Sequence, residues 1–428
     1  MGAVIKMRLF LDVSDTHNSG NLTGIQRVVR SLARSFSDLE VEQGFEFFLL
    51  RSDPSDPKSY NDLSRQEFFS RKPSYVMPVS SQILFESKDY LFVQKIWKML
   101  KKIDFLNFLS STFFSKLKNK LANTLFQIKA AEATSGKNTQ VEFRPGDVLF
   151  LADAFWAAPH TTLISASEAK KQGARILLLL NDIFPVSHPE YVEFNNRTTF
   201  NKMLPEALDL ADLLIFPSHY TKNQLGLMFP NQKEIPTTTI KYGVERTETA
   251  ILYENLERIP NSIVMIGTIE PRKNYSLVLK WFLDSAPTGT VVTIIGKNGW
   301  MNETVVSALR RESRKKQGLT WIKNASDEDL SYEMKRHEIG IMASHAEGLG
   351  LPVLEYSANG LKLVLSDIPV FREVAGDAGH YFDRYSVESL DRAINAAWAQ
   401  KEVRTIPEVS WRDTALEVLG FLNEKRDR

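Results

Sequence analysis

Ser344-His345-Ala346-Glu347-Gly348-Leu349-Gly350-Leu351-Pro352-Val353-Leu354-Glu355 joins an apolar run at 339–342 to a helical pattern that ends near Gly360. A short apolar run, a glycine-rich turn and a helix with proline in its first turn describe a βα unit whose turn approaches a ligand. Gly348 and Gly350 let the backbone bend tightly, and Pro352 suits a position whose N–H has no partner inside the helix. The free N–H groups at such a helix start, with the helix dipole behind them, favour an anion. Glu347 and Glu355 stand eight residues apart, the second about one turn into the helix, where a carboxylate reaches a ribose diol. The alternative is an ordinary βα turn with a solvent-facing glutamate.

Two further turns follow apolar runs upstream. Ile266-Gly267-Thr268-Ile269-Glu270-Pro271-Arg272-Lys273-Asn274 puts two cations just past a strand end, where open α/β sheets hold their ligands. Arginine there would clamp a diphosphate as a fork and lysine as a point charge. Ile295-Gly296-Lys297-Asn298-Gly299-Trp300 adds another glycine and another cation. Each turn alone is weak, since surface charge at a helix start looks the same; three in one region, all after strands, reinforce each other.

The rest of the chain extends this βα pattern. In the first half, strands are expected at 8–13, 46–50, 147–152, 175–180 and 213–217, with a helix over 24–36; in the second, at 262–266, 290–295, 319–322, 339–342 and 363–365. Short apolar runs alternating with amphipathic segments indicate parallel strands joined by crossover helices, so the class is α/β. The charged, weakly periodic segment 244–260 reads as the linker between two such series. A chain of 428 residues exceeds one ordinary core, which agrees with two domains.

Composition excludes several functions. With 43% hydrophobic and 25% charged residues the chain is globular, and 53 basic against 52 acidic side chains leave no charge excess for a whole-surface nucleic-acid binder. Any anion site must be local, and no nucleic-acid partner is expected. The absence of cysteine removes disulfides, thiolate zinc sites, iron–sulfur clusters and a cysteine nucleophile. The opening apolar stretch before Asp12 is too short for a signal peptide, and no run of 18 apolar residues marks a membrane span.

One region departs from the pattern. Residues 88–129 hold nine lysines, two aspartates and no arginine, interleaved with Phe92, Trp97, Phe105, Phe108, Phe113, Phe114 and Phe126. Three readings stand: a helical insertion packing its apolar side on its own domain, with lysines on the wet side; helices lying in an anionic membrane surface; or a nucleic-acid contact whose bases stack on the aromatics.

The second half resembles the retaining GT-B glycosyltransferases of family 4, the nucleotide-sugar-dependent group that includes mannosyltransferases of bacterial polysaccharide and O-antigen assembly. The resemblance runs from about 262 to 383 and rests on Glu347 and Glu355 with seven residues between, on EGLGLP for the usual EGFGLP, and on Ser366-Asp367 through Pro369 and Glu373-Val374-Ala375-Gly376-Asp377-Ala378. It implies that Arg272 and Lys273 bind the donor diphosphate, assisted by the amides around Leu349, Gly350 and Leu351. It further implies that Glu355 holds the ribose and that Glu347 contacts the donor sugar near its reacting face. Gly296, Lys297 and Gly24 join the expected donor site.

In the first half, Asp12-Val13-Ser14 and Thr23-Gly24-Ile25-Gln26-Arg27-Val28 resemble the opening of enzymes of this group active on bacterial surface polysaccharides, with Thr23 and Gly24 facing the cleft. Leu180-Asn181-Asp182 through His188 resembles another block, but Asn181 stands where the pattern has histidine, which puts a histidine contact to the donor sugar in doubt. Asp182 would orient the acceptor hydroxyl or serve as a buried structural carboxylate; His188 would lie on the acceptor side or simply in a turn. Ser326-Asp327-Glu328-Asp329 has a D-x-D spacing but reads as a helix cap, so no metal is expected.

The resemblance therefore implies a GT-B fold: an acceptor-binding Rossmann-like domain over 1–245, a nucleotide-sugar-binding one over 246–405, and a helix over 406–428 packing back on the first. The implied enzyme is a metal-independent, retaining hexosyltransferase with no cofactor, using a nucleotide-diphospho-sugar as co-substrate, GDP-mannose first. Its acceptor would be a bacterial surface glycan or a lipid-linked oligosaccharide, and its location the cytoplasm or the inner face of the cytoplasmic membrane. A UDP- or dTDP-sugar transferase, a sugar-nucleotide epimerase of the same fold and a non-catalytic binding protein are the alternatives.

Overall fold

The computed structural model describes residues 6–19, 24–53, 55–70, 140–157, 160–244, 253, 256–315 and 318–425. Thr23, the segment 88–129 and residues 245–252, 254 and 255 of the expected linker lie outside them. Two sheets carry the described chain. The first contains β1 (Arg8–Asp12), β2 (Glu46–Ser52), β3 (Tyr60–Leu63), β4 (Val148–Leu151), β5 (Arg175–Leu179), β6 (Leu213–Phe216) and β7 (Thr237–Thr239) in the order β3-β2-β1-β4-β5-β6-β7. Only β3 runs antiparallel to its neighbour.

The second sheet is wholly parallel, with β8 (Ser262–Ile266), β9 (Val291–Ile295), β10 (Leu319–Ile322), β11 (Ile339–Met342), β12 (Lys362–Ser366) and β13 (Gly379–Phe382) in the order β10-β9-β8-β11-β12-β13. Parallel strands need crossover helices, and these cover both faces of each sheet. Successive side chains alternate faces: Leu9 and Leu11 of β1 join one core and Phe10 the other, while Ile263 and Met265 of β8 oppose Val264 and Ile266. The fold is thus two doubly wound α/β domains.

The order of each sheet fixes where a ligand goes. In the second sheet the chain builds β8-β9-β10 to one side and then returns to build β11-β12-β13 on the other, so the direction reverses between β8 and β11. The loops leaving the carboxyl ends of those two strands diverge and open a crevice. They are the loops that carry Arg272-Lys273 and Glu347–Gly350.

The chain closes by returning to the first domain. The helix Trp411–Glu424 starts at a capping box of Ser410 and Asp413 and buries Ala415, Val418, Leu419, Phe421 and Leu422 in the core shared with the helix Gly24–Gln43. Thr414 Oγ1 donates to Lys241 O at 2.8 Å and Val244 N to Val409 O at 2.9 Å. Ser326 and Asp329 form the other expected capping box, so the D-x-D spacing caps the helix Asp327–Arg336.

A buried histidine gives this domain a specific response to acid. His337 is fully buried; its Nδ1–H donates to Glu333 O at 2.7 Å and Nε2 has no partner. Burial, with help from Arg336 and Arg258 against the Glu333 carbonyl, pushes its pKa down to about 4 from 6.5. The unfolded chain binds this proton at higher pH than the folded one, so stability present above pH 6.5 drains away between 6.5 and 4, by about 3 kcal/mol. Urea unfolding of His337→Leu is expected to show a flatter pH dependence across that window than the wild type. An unchanged slope would assign the acid sensitivity elsewhere.

Candidate active site

The crevice between the domains encloses about 570 Å³ and is lined from the second domain by Gly267, Arg272, Lys273, Gly296, Lys297 and Glu347–Pro352, and from the first by Gly24, Arg27, Asn181 and Asp182. At its centre the Glu347 carboxylate holds the loop cations together. Lys273 Nζ donates to Oε1 at 2.6 Å, Ser344 Oγ to the same oxygen at 2.7 Å, and Arg272 Nη1 approaches Oε2 at 2.7 Å. Arg272 also donates to Ala346 O and Glu270 Oε1, both at 2.8 Å, and lies over the Phe184 ring at 4.6 Å.

These contacts set the local charge. Burial pushes the Glu347 carboxyl up, but Arg272 and Lys273 outweigh it and hold the pKa at about 2. An ion with so low an affinity for protons is a poor base, and both its oxygens are occupied. Asp182, on the opposite wall, behaves differently: burial raises it to about 6, with Arg272 pulling down and Glu347 and Glu270 pushing up. Two carboxylates in one cleft thus differ by about 4 pKa units, one fixed as an anion and one titrating near neutrality.

Glycine makes the close approaches possible. A Cβ on Gly348 would lie 2.2 Å from Asn181 O and 2.9 Å from Asp182 Cβ, so this loop touches the other domain through bare backbone. Gly348 O in turn accepts Ser218 Oγ at 2.7 Å and Thr221 Oγ1 at 3.0 Å, both from the first domain. Gly296 has no room for a side chain either, its Cβ position falling 1.8 Å from Gly267 O. Leu349, Leu351 and Leu354 pack on the first domain's core, and Glu373 caps the helix His219–Met228 by accepting the His219 and Tyr220 N–H groups at 2.6 and 2.8 Å.

The remaining expected residues divide. Gly350, Leu351, Lys297 and Gly24 line the cleft. Glu355 does not: its carboxylate accepts a hydrogen bond from Arg27 Nη2 of the first domain. Asn181 lines the cleft, with its Oδ1 accepting the Tyr242 hydroxyl at 2.6 Å. His188 bonds Ser187 through Nδ1 at 2.9 Å and stands beside Tyr191, whose ring stacks on His345 at 5.2 Å. It faces the domain junction without lining the cleft.

Sequence reasoning missed Glu270, Ser344, Arg27, Lys323 and Asp327 as site residues. Glu270 and Ser344 stand inside the motifs already quoted, and Arg27 inside Thr23–Val28, so position relative to the motif was the available signal. Lys323 and Asp327 line the far end of the cleft after β10. In the first domain, Asp12 at the last position of β1 and Asp153 just past the end of β4 are buried next to Asp15; burial raises all three pKa values, with neighbouring carboxylates adding to that of Asp153.

Comparison with known proteins agrees with this geometry. Residues 254–408 match the family described as glycosyl transferases group 1. The chain is similar to the serotype-specific mannosyltransferase WbdA of Escherichia coli, 26% identical over 306 residues that cover 65% of this chain and 37% of that protein. It is likewise similar to the O-antigen chain mannosyltransferase B of Escherichia coli, 26% identical over 266 residues, 56% of this chain and 64% of that protein. The chain thus spans little more than a third of the first relative's length and under two thirds of the second's. Among solved structures, sucrose-phosphate synthase from Thermosynechococcus elongatus superposes with a TM-score of 0.55 at 15% identity, over 99% of this chain and 94% of that one, a likeness of fold. The chain therefore has the two-domain GT-B fold, and the match to the glycosyl transferases group 1 family lies within its second half, over residues 254–408.

Proposed function

We propose that this chain is a glycosyltransferase that moves a hexosyl unit from a nucleoside-diphosphate sugar to a hydroxyl of a bacterial surface glycan or lipid-linked oligosaccharide. The donor is GDP-mannose and the anomeric configuration is retained. One observation carries the reading: Arg272 and Lys273 are gathered on Glu347 at the switch point of the second sheet, directly across the cleft from Asp182. Names of relatives that transfer mannose support the choice of sugar.

In this reading the departing diphosphate develops charge beside fixed cations and the start of the helix Leu351–Ala358, which stabilise it without reorganising. Glu347, already an anion with both oxygens engaged, holds those cations in place and presents negative charge beside the donor sugar. Asp182 orients the acceptor by accepting a hydrogen bond from a neighbouring hydroxyl of it, while a diphosphate oxygen on the same face takes the attacking hydroxyl's proton as the new bond to the anomeric carbon forms and that carbon's bond to the diphosphate breaks. The second domain, over 246–405, binds the donor and the first, over 1–245, the acceptor; residues 406–428 tie the two. The reaction takes place in the cytoplasm or at the inner membrane face, where segment 88–129 would meet lipid.

Incubating the full chain with GDP-mannose and a lipid-linked or oligosaccharide acceptor, and reading the product's anomeric configuration by NMR, tests this. An α-mannoside is expected; sugar release or epimer formation without acceptor would replace the transferase by an epimerase reading. Since Asp182 ionises near pH 6, the wild-type rate should fall below that pH, and Asp182→Asn should lose both activity, by about 10²-fold, and the acidic limb. An Asn variant with the wild-type rate removes Asp182 from the reaction.

A further inference from the structure

Arg27 stands in the first turn of the 20-residue helix Gly24–Gln43, whose first turn has no acidic residue. A cation there faces the positive end of the helix dipole, so the position is unfavourable unless an anion compensates it. That anion is Glu355: the guanidinium bonds its Oε1. Arg27 lines the cleft with its side chain 37% exposed, and Glu355, 12% exposed, lies behind it.

Charge accounting in the cleft gives this pair a consequence. The lining cations Arg27, Arg272, Lys273, Lys297 and Lys323 face the lining carboxylates Asp182, Glu270, Asp327 and Glu347, and Arg272 and Lys273 are both bound to Glu347. An arriving diphosphate therefore enters a cleft whose positive charge is largely compensated. Arg27 is the cation whose partner has a second use. A ribose diol on Glu355 would replace one charged donor by two neutral hydroxyls, an exchange that loses a charge-assisted bond unless the released guanidinium finds another anion. The diphosphate is that anion: Gly24 and Ile25, at the start of the same helix, line the same cleft as Arg272 and Lys273.

We propose that Arg27 is an exchange residue of the donor site. It caps Glu355 until a nucleoside diphosphate binds, then yields the carboxylate to the ribose and forks onto the diphosphate from the first domain. This rests on the donor site of the proposed function, and it makes nucleotide binding dependent on a residue outside the nucleotide-binding domain. A single guanidinium thereby couples ribose recognition, phosphate recognition and the contact between domains.

Titration calorimetry of the full chain, Arg27→Met and Glu355→Gln with GDP, guanosine and inorganic pyrophosphate tests the exchange. Arg27→Met should bind GDP about tenfold more weakly, having lost a charge-assisted phosphate bond, yet bind guanosine several-fold more tightly, because Glu355 is no longer capped. Glu355→Gln, which removes the carboxylate from Arg27, should bind pyrophosphate several-fold more tightly than the wild type; this arm also covers a failure of Arg27→Met to fold. Unchanged affinity for GDP and guanosine in folded Arg27→Met, or no pyrophosphate gain in Glu355→Gln, overturns the exchange and leaves the donor site standing. If the wild type binds neither GDP nor UDP, the donor site itself falls, and the exchange with it.

Discussion

Arg272→Ala is expected to lower kcat by about 10²- to 10³-fold, the usual cost of removing one preorganised donor to developing charge. The side chain concentrates three roles. It holds Glu347 Oε2 at 2.7 Å, depresses Asp182 across the cleft and, in the proposed reaction, meets the leaving diphosphate. Its loss leaves Glu347 buried with Lys273 and Ser344, so the variant should also lose about 3 kcal/mol of stability, as broken buried ion pairs do. Arg272→Lys restores a charge but not the fork that spans Glu347, Glu270 and Ala346 O, and should recover only part of the rate. Single-turnover rates together with thermal melts separate the two effects. A folded Arg272→Ala enzyme within tenfold of wild-type kcat would show that the diphosphate leaves elsewhere.

Gly348→Ala should be nearly as damaging for a different reason. The added methyl would fall 2.2 Å from the backbone Asn181 O and 2.9 Å from Asp182 Cβ, neither of them the far end of a flexible side chain that could yield. Relief requires the loop to move off the first domain by about 1 Å, a displacement that costs roughly 10²-fold when it separates reacting groups. It would also strain the bonds from Ser218 and Thr221 to Gly348 O. Arg272 and Lys273 sit together on the second domain, so GDP affinity should stay within a few-fold while kcat falls. A Gly348→Ala enzyme with wild-type kcat would mean that the domains need not meet at this glycine.

The interior of both sheets was legible because buried parallel strands are dense in Val, Ile and Leu, as in Arg175–Leu179 and Ser262–Ile266. The edges were not. Tyr60–Leu63 reads YNDL, Thr237–Thr239 is three threonines and Gly379–Phe382 begins with glycine and histidine; each is short, polar and strand-like only through the neighbour it pairs with. Within the site, residues acting through their own loop were visible: Arg272, Lys273 and Glu347 belong to quoted motifs and meet in space. Residues acting across the domain junction were not. Asn181 and Gly348 stand 167 positions apart, and nothing local to either shows that their backbones meet. Glu355 shows the same limit from the other side. Its motif gives it to ribose, whereas its contact with Arg27 depends on how two domains face each other, which local pattern does not encode.

The central claim is that the crevice between the two sheets is a nucleoside-diphosphate site, and titration calorimetry of the full chain with GDP, UDP, dTDP and CMP tests it most directly. The account predicts saturable one-to-one binding, with GDP preferred over the others, lost in Arg272→Ala. Absence of binding by every nucleotide to folded protein would contradict it.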